Sequence, residues 1–335
     1  MAAAALLEEV VAEVRAHAGL RGKSALGLVT EVLGPTDWRS GPGDDGAVVS
    51  DGSCSLVVGG EALQASFVAA DPFAAGVAAV LTNVNDLAAM GAWPLAIVDT
   101  VVASEAVARR ALEGMRHASE LYRVPVVGGH LTIRDGPPGI SAFGLGRASQ
   151  VLSVRAAAPG QTLLVACCLE GTMREDFPFF ASLPQRGAAV ADDVRLLPRV
   201  AESGACVAAK DVSMAGLLGS LAMLLEHGRL GATVDLDALP RPAGVPLARW
   251  LVAFPAFAFL LCAPPGQADA CRAPFLDRGL ACEPVAVLDG SGALRARLDD
   301  AEALVLDLRS ETVTGLGAWD RVVPPDHHRA AGPGC

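Results

Sequence analysis

Five short polar clusters in this 335-residue chain carry the residue types that chemistry needs. Gly43-Asp44-Asp45-Gly46 sets two adjacent carboxylates in a glycine-flanked turn. Adjacent carboxylates repel each other unless a cation or donors neutralise them, so Asp44 and Asp45 hint at a divalent metal, although the same residues also make good turns. Asn83, Asn85 and Asp86 crowd three short polar side chains together; Asp86 is either a further carboxylate for the same purpose or the solvated end of a helix. Gly128-Gly129-His130 pairs flexible backbone with a side chain that suits ligand binding, proton transfer or a structural role. Lys210-Asp211 stands before a turn from which an apolar helix leaves. An anion or a metal suits that position, and so does plain capping by Asp211. Arg21-Gly22-Lys23 forms a basic corner that fits either a phosphate contact or a solvated charge cluster.

The elements that must position these residues are legible from periodicity. Phe73, Val77, Val80, Leu81, Val84, Leu87 and Ala88 recur at steps of three and four, the signature of an amphipathic helix. Asp71-Pro72 suits its start, Gly91 a left-handed cap at its end, and Pro94 forbids continuation. Asp86 lies off the centre of the apolar stripe. Ala47 to Val49 and Leu56 to Val58 read as adjacent strands around the turn Asp51-Gly52, with Gly59-Gly60-Glu61 at the far end of the second. Leu95 to Val98 reads as a strand, Glu105 to Tyr122 as a helix, and Val124 to Val127 as a strand that ends at Gly128 and places His130 at its tip. Ser141 to Gly146 is the last strand of this half.

Residues 1 to 33 hold one or two helices. Beyond Arg155 to Gly160 a strand is expected over Thr162 to Cys168, an irregular stretch over Glu170 to Arg186, and a short strand leading to Lys210 and Asp211. Leu217, Leu218, Leu221, Leu224 and Leu225 then mark an apolar helix, with further strands at Thr233 to Leu236, Ala258 to Cys262 and Val285 to Leu288. The length favours two domains, placed at 1–154 and 155–322, followed by a tail, 323–335, expected to be disordered.

Hydrophobic residues make up 52%, yet no apolar run spans a bilayer without Gly, Pro or a charge, which points to a soluble protein and no membrane partner. The N-terminus lacks a basic leader and reads as a helix rather than a signal peptide. Eight cysteines without C-x-x-C spacing suggest core residues in a reducing, cytoplasmic compartment. A net charge of −11 and 4% aromatic residues argue against nucleic acid as a partner. Nucleotides remain compatible, because carboxylates hold Mg²⁺ and Mg²⁺ holds phosphates.

Gly43-Asp44-Asp45-Gly46-Ala47, Val84-Asn-Asp86-Leu-Ala-Ala-Met-Gly-Ala-Trp-Pro94, Gly128-Gly129-His130 and Lys210-Asp211-Val-Ser-Met-Ala-Gly-Leu217 follow one another in the order and spacing of a known family. In these motifs the chain resembles the AIR synthase (PurM-like) superfamily, and most closely its AIR-synthase-related branch. The superfamily includes thiamine monophosphate kinase, selenophosphate synthetase and HypE. The resemblance implies an α/β (α+β) chain of two PurM-like domains, the N-terminal one forming a barrel shared across a homodimer. It also implies ATP and Mg²⁺ as cofactors. Matched by motif, Asp44, Asp45 and Asp86 fall on positions that hold Mg²⁺ or nucleotide phosphates, and Asp211 on a further metal position. Gly128 and Gly129 fall to the nucleotide and His130 and Lys210 to catalysis, while Lys23, outside these motifs and without the Cys-plus-Lys glycine loop of selenophosphate synthetase, is expected to contact the nucleotide as a basic group.

The chain also departs from its relatives. His130 stands where the kinase pattern has Asp, and Met214 where it has a second Asp after Asp-Ile-Ser. Pro255-Ala-Phe257-Ala-Phe259 fills the place of the kinase's later Gly-Gly-Asp-Asp segment. The expected function is ATP- and Mg²⁺-dependent phosphoryl transfer to a small molecule. The chain would either activate an amide or carboxyl oxygen, as a ligase or cyclase does, or act as a kinase. The alternative is a non-catalytic nucleotide-binding or structural subunit of a biosynthetic complex.

Overall fold

The computed structural model describes residues 2–33, 43–52 and 54–316 of the chain. The tail expected at 323–335 lies outside them. The described residues fall into two compact units, both discontinuous in sequence: one takes them from 45–151 and 186–202, the other from 1–44, 152–185 and 203–335. The sequence reading divides the chain by a single cut at 154/155.

The first unit is a five-stranded sheet with helices on it. Its strands are β1 (Ala47–Asp51), β2 (Cys54–Leu63), β3 (Trp93–Ala103), β4 (Val126–Ile133) and β5 (Gly139–Ala148), in the spatial order β1-β2-β5-β3-β4. All neighbours are antiparallel except β3 and β4, which a right-sized crossover, the helix Glu105–Tyr122, joins in parallel. The other main helix, Pro72–Ala89, begins where the sequence predicts, with the Asp71 carboxylate accepting from the Ala74 N–H at 3.0 Å. Val80, Leu81, Val84 and Leu87 are fully buried, each worth roughly 1.5–3 kcal/mol.

The two helices cross at glycines. A Cβ on Gly76 would lie 1.9 Å from the Ala111 carbonyl oxygen, and one on Gly114 would lie 2.1 Å from that of Phe73. Backbone therefore meets backbone at the crossing. Residues 186–202 close onto the same unit: Arg186 forks onto the buried Asp193, and Arg195 donates to the Tyr122 carbonyl at 3.0 Å. Glu202 accepts from Trp93 Nε1 and Ser149 Oγ.

The second unit is built on a seven-stranded sheet of β6 (Thr162–Cys167), β9 (Ala208–Asp211), β10 (Gly231–Asp235), β12 (Ala258–Ala263), β13 (Ala281–Asp289), β14 (Ala293–Leu298) and β15 (Ala301–Asp307). Their order is β15-β14-β10-β13-β6-β12-β9. The apolar helix Gly216–Glu226 is buried along most of its length, and the helix Ala2–Ala16 adds Leu7, Val10 and Val14 to the core. A small separate sheet joins β7 (Thr172–Met173), β8 (Phe179–Ala181) and β11 (Phe254–Pro255). The stretch expected to be irregular, Glu170 to Arg186, thus supplies two strands, and Arg249 ties into it by donating to the Glu175 carbonyl.

One further expectation needs correction. The Gly128-Gly129 pair does not end its strand: β4 runs through it to Ile133, so His130 is a mid-strand residue. The hairpin β14–β15 was not foreseen at all.

Candidate functional site

Asp86 is buried, 8% exposed, as are its neighbours Asn83 and Asn85. A polar last turn survives burial here because the sheet beneath it is paved with glycine. A Cβ on Gly144 would lie 2.9 Å from Leu87 Cδ1 and 3.2 Å from Asn83 Cβ, and one on Gly146 would lie 3.2 Å from Leu87 Cδ2. The helix sinks onto β5, and Asn83 Nδ2 fastens it by donating to the carbonyls of Ala79 at 2.9 Å and Ala142 at 3.2 Å. Over β2 the bare Gly59 plays the same part, since a Cβ there would meet the Asp45 carbonyl oxygen at 3.2 Å and Asp86 Cβ at 4.0 Å.

That packing brings the carboxylates of Asp45 and Asp86 within 4.8 Å of each other. Two carboxylates at such range, one of them buried, favour a cation between them, and an all-oxygen donor set suits a hard ion such as Mg²⁺. Glu61 lies two residues along β2 from Gly59, so its side chain leaves the same face of the sheet. The donors therefore fit the ion that the motifs imply.

Asp99 is the residue that sequence reasoning missed. It interrupts the apolar run of β3 on the parity of the buried Ile97, Val101 and Ala103, and it is itself 9% exposed. Burial raises its carboxyl above the usual range. Gly129 makes room for it, because a Cβ there would stand 2.8 Å from Asp99 Oδ1. The signal was an acid at a core-facing strand position beside a glycine pair.

Two other predicted residues of this unit, Gly128 and His130, lie on β4. His130 follows Gly129 and so projects from the opposite face to Asp99, exposed, with Nε2 3.2 Å from Thr132 Oγ1. β4 stands three strand positions from β2, roughly 14 Å at the usual spacing, so His130 is not part of the Asp45–Asp86 grouping. A Cβ on Gly128 would meet nothing within 4 Å.

In the second unit, both oxygens of Asp44 accept hydrogen bonds, from Ser153 Oγ at 2.6 Å and from the Val154 N–H at 2.6 Å, which caps the short turn Val154–Ala156. Lys210 and Asp211 close the edge strand β9, both buried, with Nζ 3.9 Å from Oδ1. Gly216, at φ +73°, then turns the chain into the apolar helix where a Cβ would strike the Leu251 carbonyl oxygen at 2.1 Å. Lys23 is half-buried at the head of the 3-10 turn Lys23–Leu26.

Residues 43–148 match the family described as AIR synthase related protein, N-terminal domain, and residues 174–299 match its C-terminal domain. An uncharacterized protein of Synechocystis sp., sll0787, is 35% identical over 277 residues, covering 82% of this chain and 86% of its own length. A thiamine-monophosphate kinase of Rhodopirellula baltica is 32% identical over 170 residues, which span 49% of this chain and 50% of the kinase. Among solved structures, T. maritima PurL complexed with ATP superposes over 98% of this chain and 54% of its own, with a TM-score of 0.72 and 20% identity. The chain thus spans about half the length of that kinase and that PurL, and the two-domain PurM-like fold is shared.

Proposed function

Since the chain belongs to the AIR synthase related family, we propose that it binds ATP through Mg²⁺ and transfers the terminal phosphoryl group to a small molecule. The observation that carries this reading is the Asp45–Asp86 pair, a hard-oxygen donor set in which helix burial holds Asp86 and the bend leading into β1 carries Asp45. Phosphoryl transfer asks a protein mainly for positioning and charge neutralisation, and two fixed carboxylates supply the anchor for the ion that provides both. In this assignment Asp45 and Asp86 hold Mg²⁺, Asp44 and Asp211 are further carboxylates for metal or phosphate, and the Gly128-Gly129 backbone and Lys23 contact the nucleotide. Lys210 neutralises or polarises the reacting oxygens, and His130, on the sheet face turned away from the helices, is not assigned to this step.

The favoured chemistry is activation of an amide or carboxyl oxygen as a phosphate for attack by nitrogen, with a small-molecule kinase as the second form. That a related chain is a thiamine-monophosphate kinase and another was solved with ATP supports nucleotide use in either form. The reaction would draw on cytoplasmic ATP. Calorimetric titration with ATP tests the reading: heat is expected with Mg²⁺ and none after chelation. Equal binding in both conditions sinks the metal role, and no binding in either sinks the nucleotide. Binding without phosphate release against any candidate metabolite would favour the non-catalytic subunit, for which Met214 at a ligand position speaks.

We also propose a homodimer. The sheet face opposite the helices exposes Val58, Val98, Phe143 and Leu145, and Phe143 lies against Gly60, where a Cβ would be 2.3 Å from its ring. A second copy laying the same face against it would remove this apolar surface from water. Sedimentation at micromolar concentration is expected to give twice the chain mass; a monomer there overturns the dimer.

A further inference from the structure

Glu226 is the last residue of the helix Gly216–Glu226, where the helix dipole disfavours a carboxylate. Its local partners explain the placement. Oε1 accepts from the Val313 N–H at 2.6 Å, and Oε2 accepts from the Thr314 N–H at 3.1 Å and Thr314 Oγ1 at 2.8 Å. The chain beyond β15 is thereby tied down across the helix end, with Val313 and Thr314 both buried. Arg15 reinforces the path from the other side, pairing with Glu311 and donating to the Val305 carbonyl at 2.7 Å.

What this strap presses on is the turn that begins with Lys23. A Cβ on Gly27 would lie 2.6 Å from the Gly315 carbonyl oxygen, and a Cβ on Gly315 would lie 2.5 Å from the Ser24 carbonyl oxygen. Gly315 sits at φ +66°, in the left-handed region, where a side chain is disfavoured in any case. Two bare α-carbons thus interlock the strap with the turn, and Ser24 Oγ, donating to the Arg21 carbonyl at 2.8 Å, holds the turn's shape.

We propose that Glu226 is a positioning residue for Lys23: through Val313, Thr314 and Gly315 it clamps the Lys23–Leu26 turn and so sets how well that lysine meets a nucleotide phosphate. The nucleotide half of this inference rests on the reading that Lys23 contacts phosphate. The clamp itself does not. Charge-assisted bonds such as those at Glu226 are the strong ones, so losing the charge should free the strap.

Two measurements on the full chain separate the parts. Hydrogen exchange of the amides at 24–27 is expected to quicken about tenfold or more in Glu226→Gln and in Gly315→Ala, with the helix Pro72–Ala89 unchanged. In calorimetry with ATP and Mg²⁺, Glu226→Gln is expected to weaken binding about fivefold in the natural chain and to add nothing in a Lys23→Ala background. Unchanged exchange at 24–27 in both variants overturns the clamp. Equal losses with and without Lys23 overturn the coupling to it. If Lys23→Ala leaves ATP affinity unaltered, the phosphate role of Lys23 falls, and the nucleotide half of the proposal falls with it, while the exchange result still decides the clamp.

Discussion

Asp86→Asn is expected to weaken Mg²⁺-dependent ATP binding by at least about a hundredfold while the chain stays folded. The substitution keeps the size of the side chain and its capacity to accept a hydrogen bond. It removes the charge that a hard cation needs, and even groups that only support metal ligands commonly cost 10–100-fold in metal affinity when changed. Asp86 is buried with its carboxylate within 4.8 Å of that of Asp45, so the substitution removes one of the pair's two charges. Calorimetry across a range of Mg²⁺ concentrations reads the effect, and circular dichroism reads the fold. ATP affinity unchanged in a folded Asp86→Asn chain would remove the pair from the nucleotide site. Asp45→Asn is expected to behave alike, because the two residues act as one donor set.

The second large effect concerns stability. Gly76→Ala places a methyl group in the middle of a helix, where propensity alone gives a gain of about 1 kcal/mol. The opposite sign is expected, a loss of roughly 3 kcal/mol, because the new Cβ would lie 1.9 Å from the Ala111 carbonyl oxygen and 2.9 Å from the Met115 nitrogen. Those are backbone atoms and cannot step aside without parting the two helices. Gly114→Ala should cost a similar amount, since its Cβ would meet the Phe73 carbonyl oxygen at 2.1 Å. Urea denaturation of the full chain decides the sign, and a midpoint at or above that of the natural chain would refute close backbone packing. The same helix carries Asp86 ten residues further on, so weaker ATP binding should accompany the lost stability.

The frame of the first unit was legible because its helices obey simple rules. Pro72–Ala89 carries a cap, a proline at its first position and an unbroken apolar stripe, and Glu105–Tyr122 was bounded to the residue. Asp86 was harder to place. A polar last turn looks solvated in one dimension, and what buries it is the run of glycines on β2 and β5, whose role depends on strand pairing that no local pattern displays. Asp99 was passed over for a related reason: its meaning comes from Gly129 on the neighbouring strand. His130 was set at a strand tip because a glycine pair usually punctuates, whereas here the pair continues the ladder beside an acid that needs the space. The sheet of β7, β8 and β11 has strands too short to show any period, so the stretch that supplies β7 and β8 reads as irregular. The motifs that carry the site were readable only as a set, through the resemblance, because each alone is an ordinary turn or cap.

The discontinuity of the two compact units bears on how the chain is made. Residues 186–202 complete the unit that begins at Asp45, seating Arg195 on the Tyr122 carbonyl and Glu202 on Trp93 and Ser149. A ribosome that has released everything up to Val151 has therefore delivered all five strands of that sheet without the segment that closes over its second helix. At ordinary elongation rates of about 5–20 residues per second, several seconds of synthesis separate the sheet from its closing piece. During that interval the nascent sheet depends on other protection, and a gene split near residue 154 would leave each product without a part of its own fold.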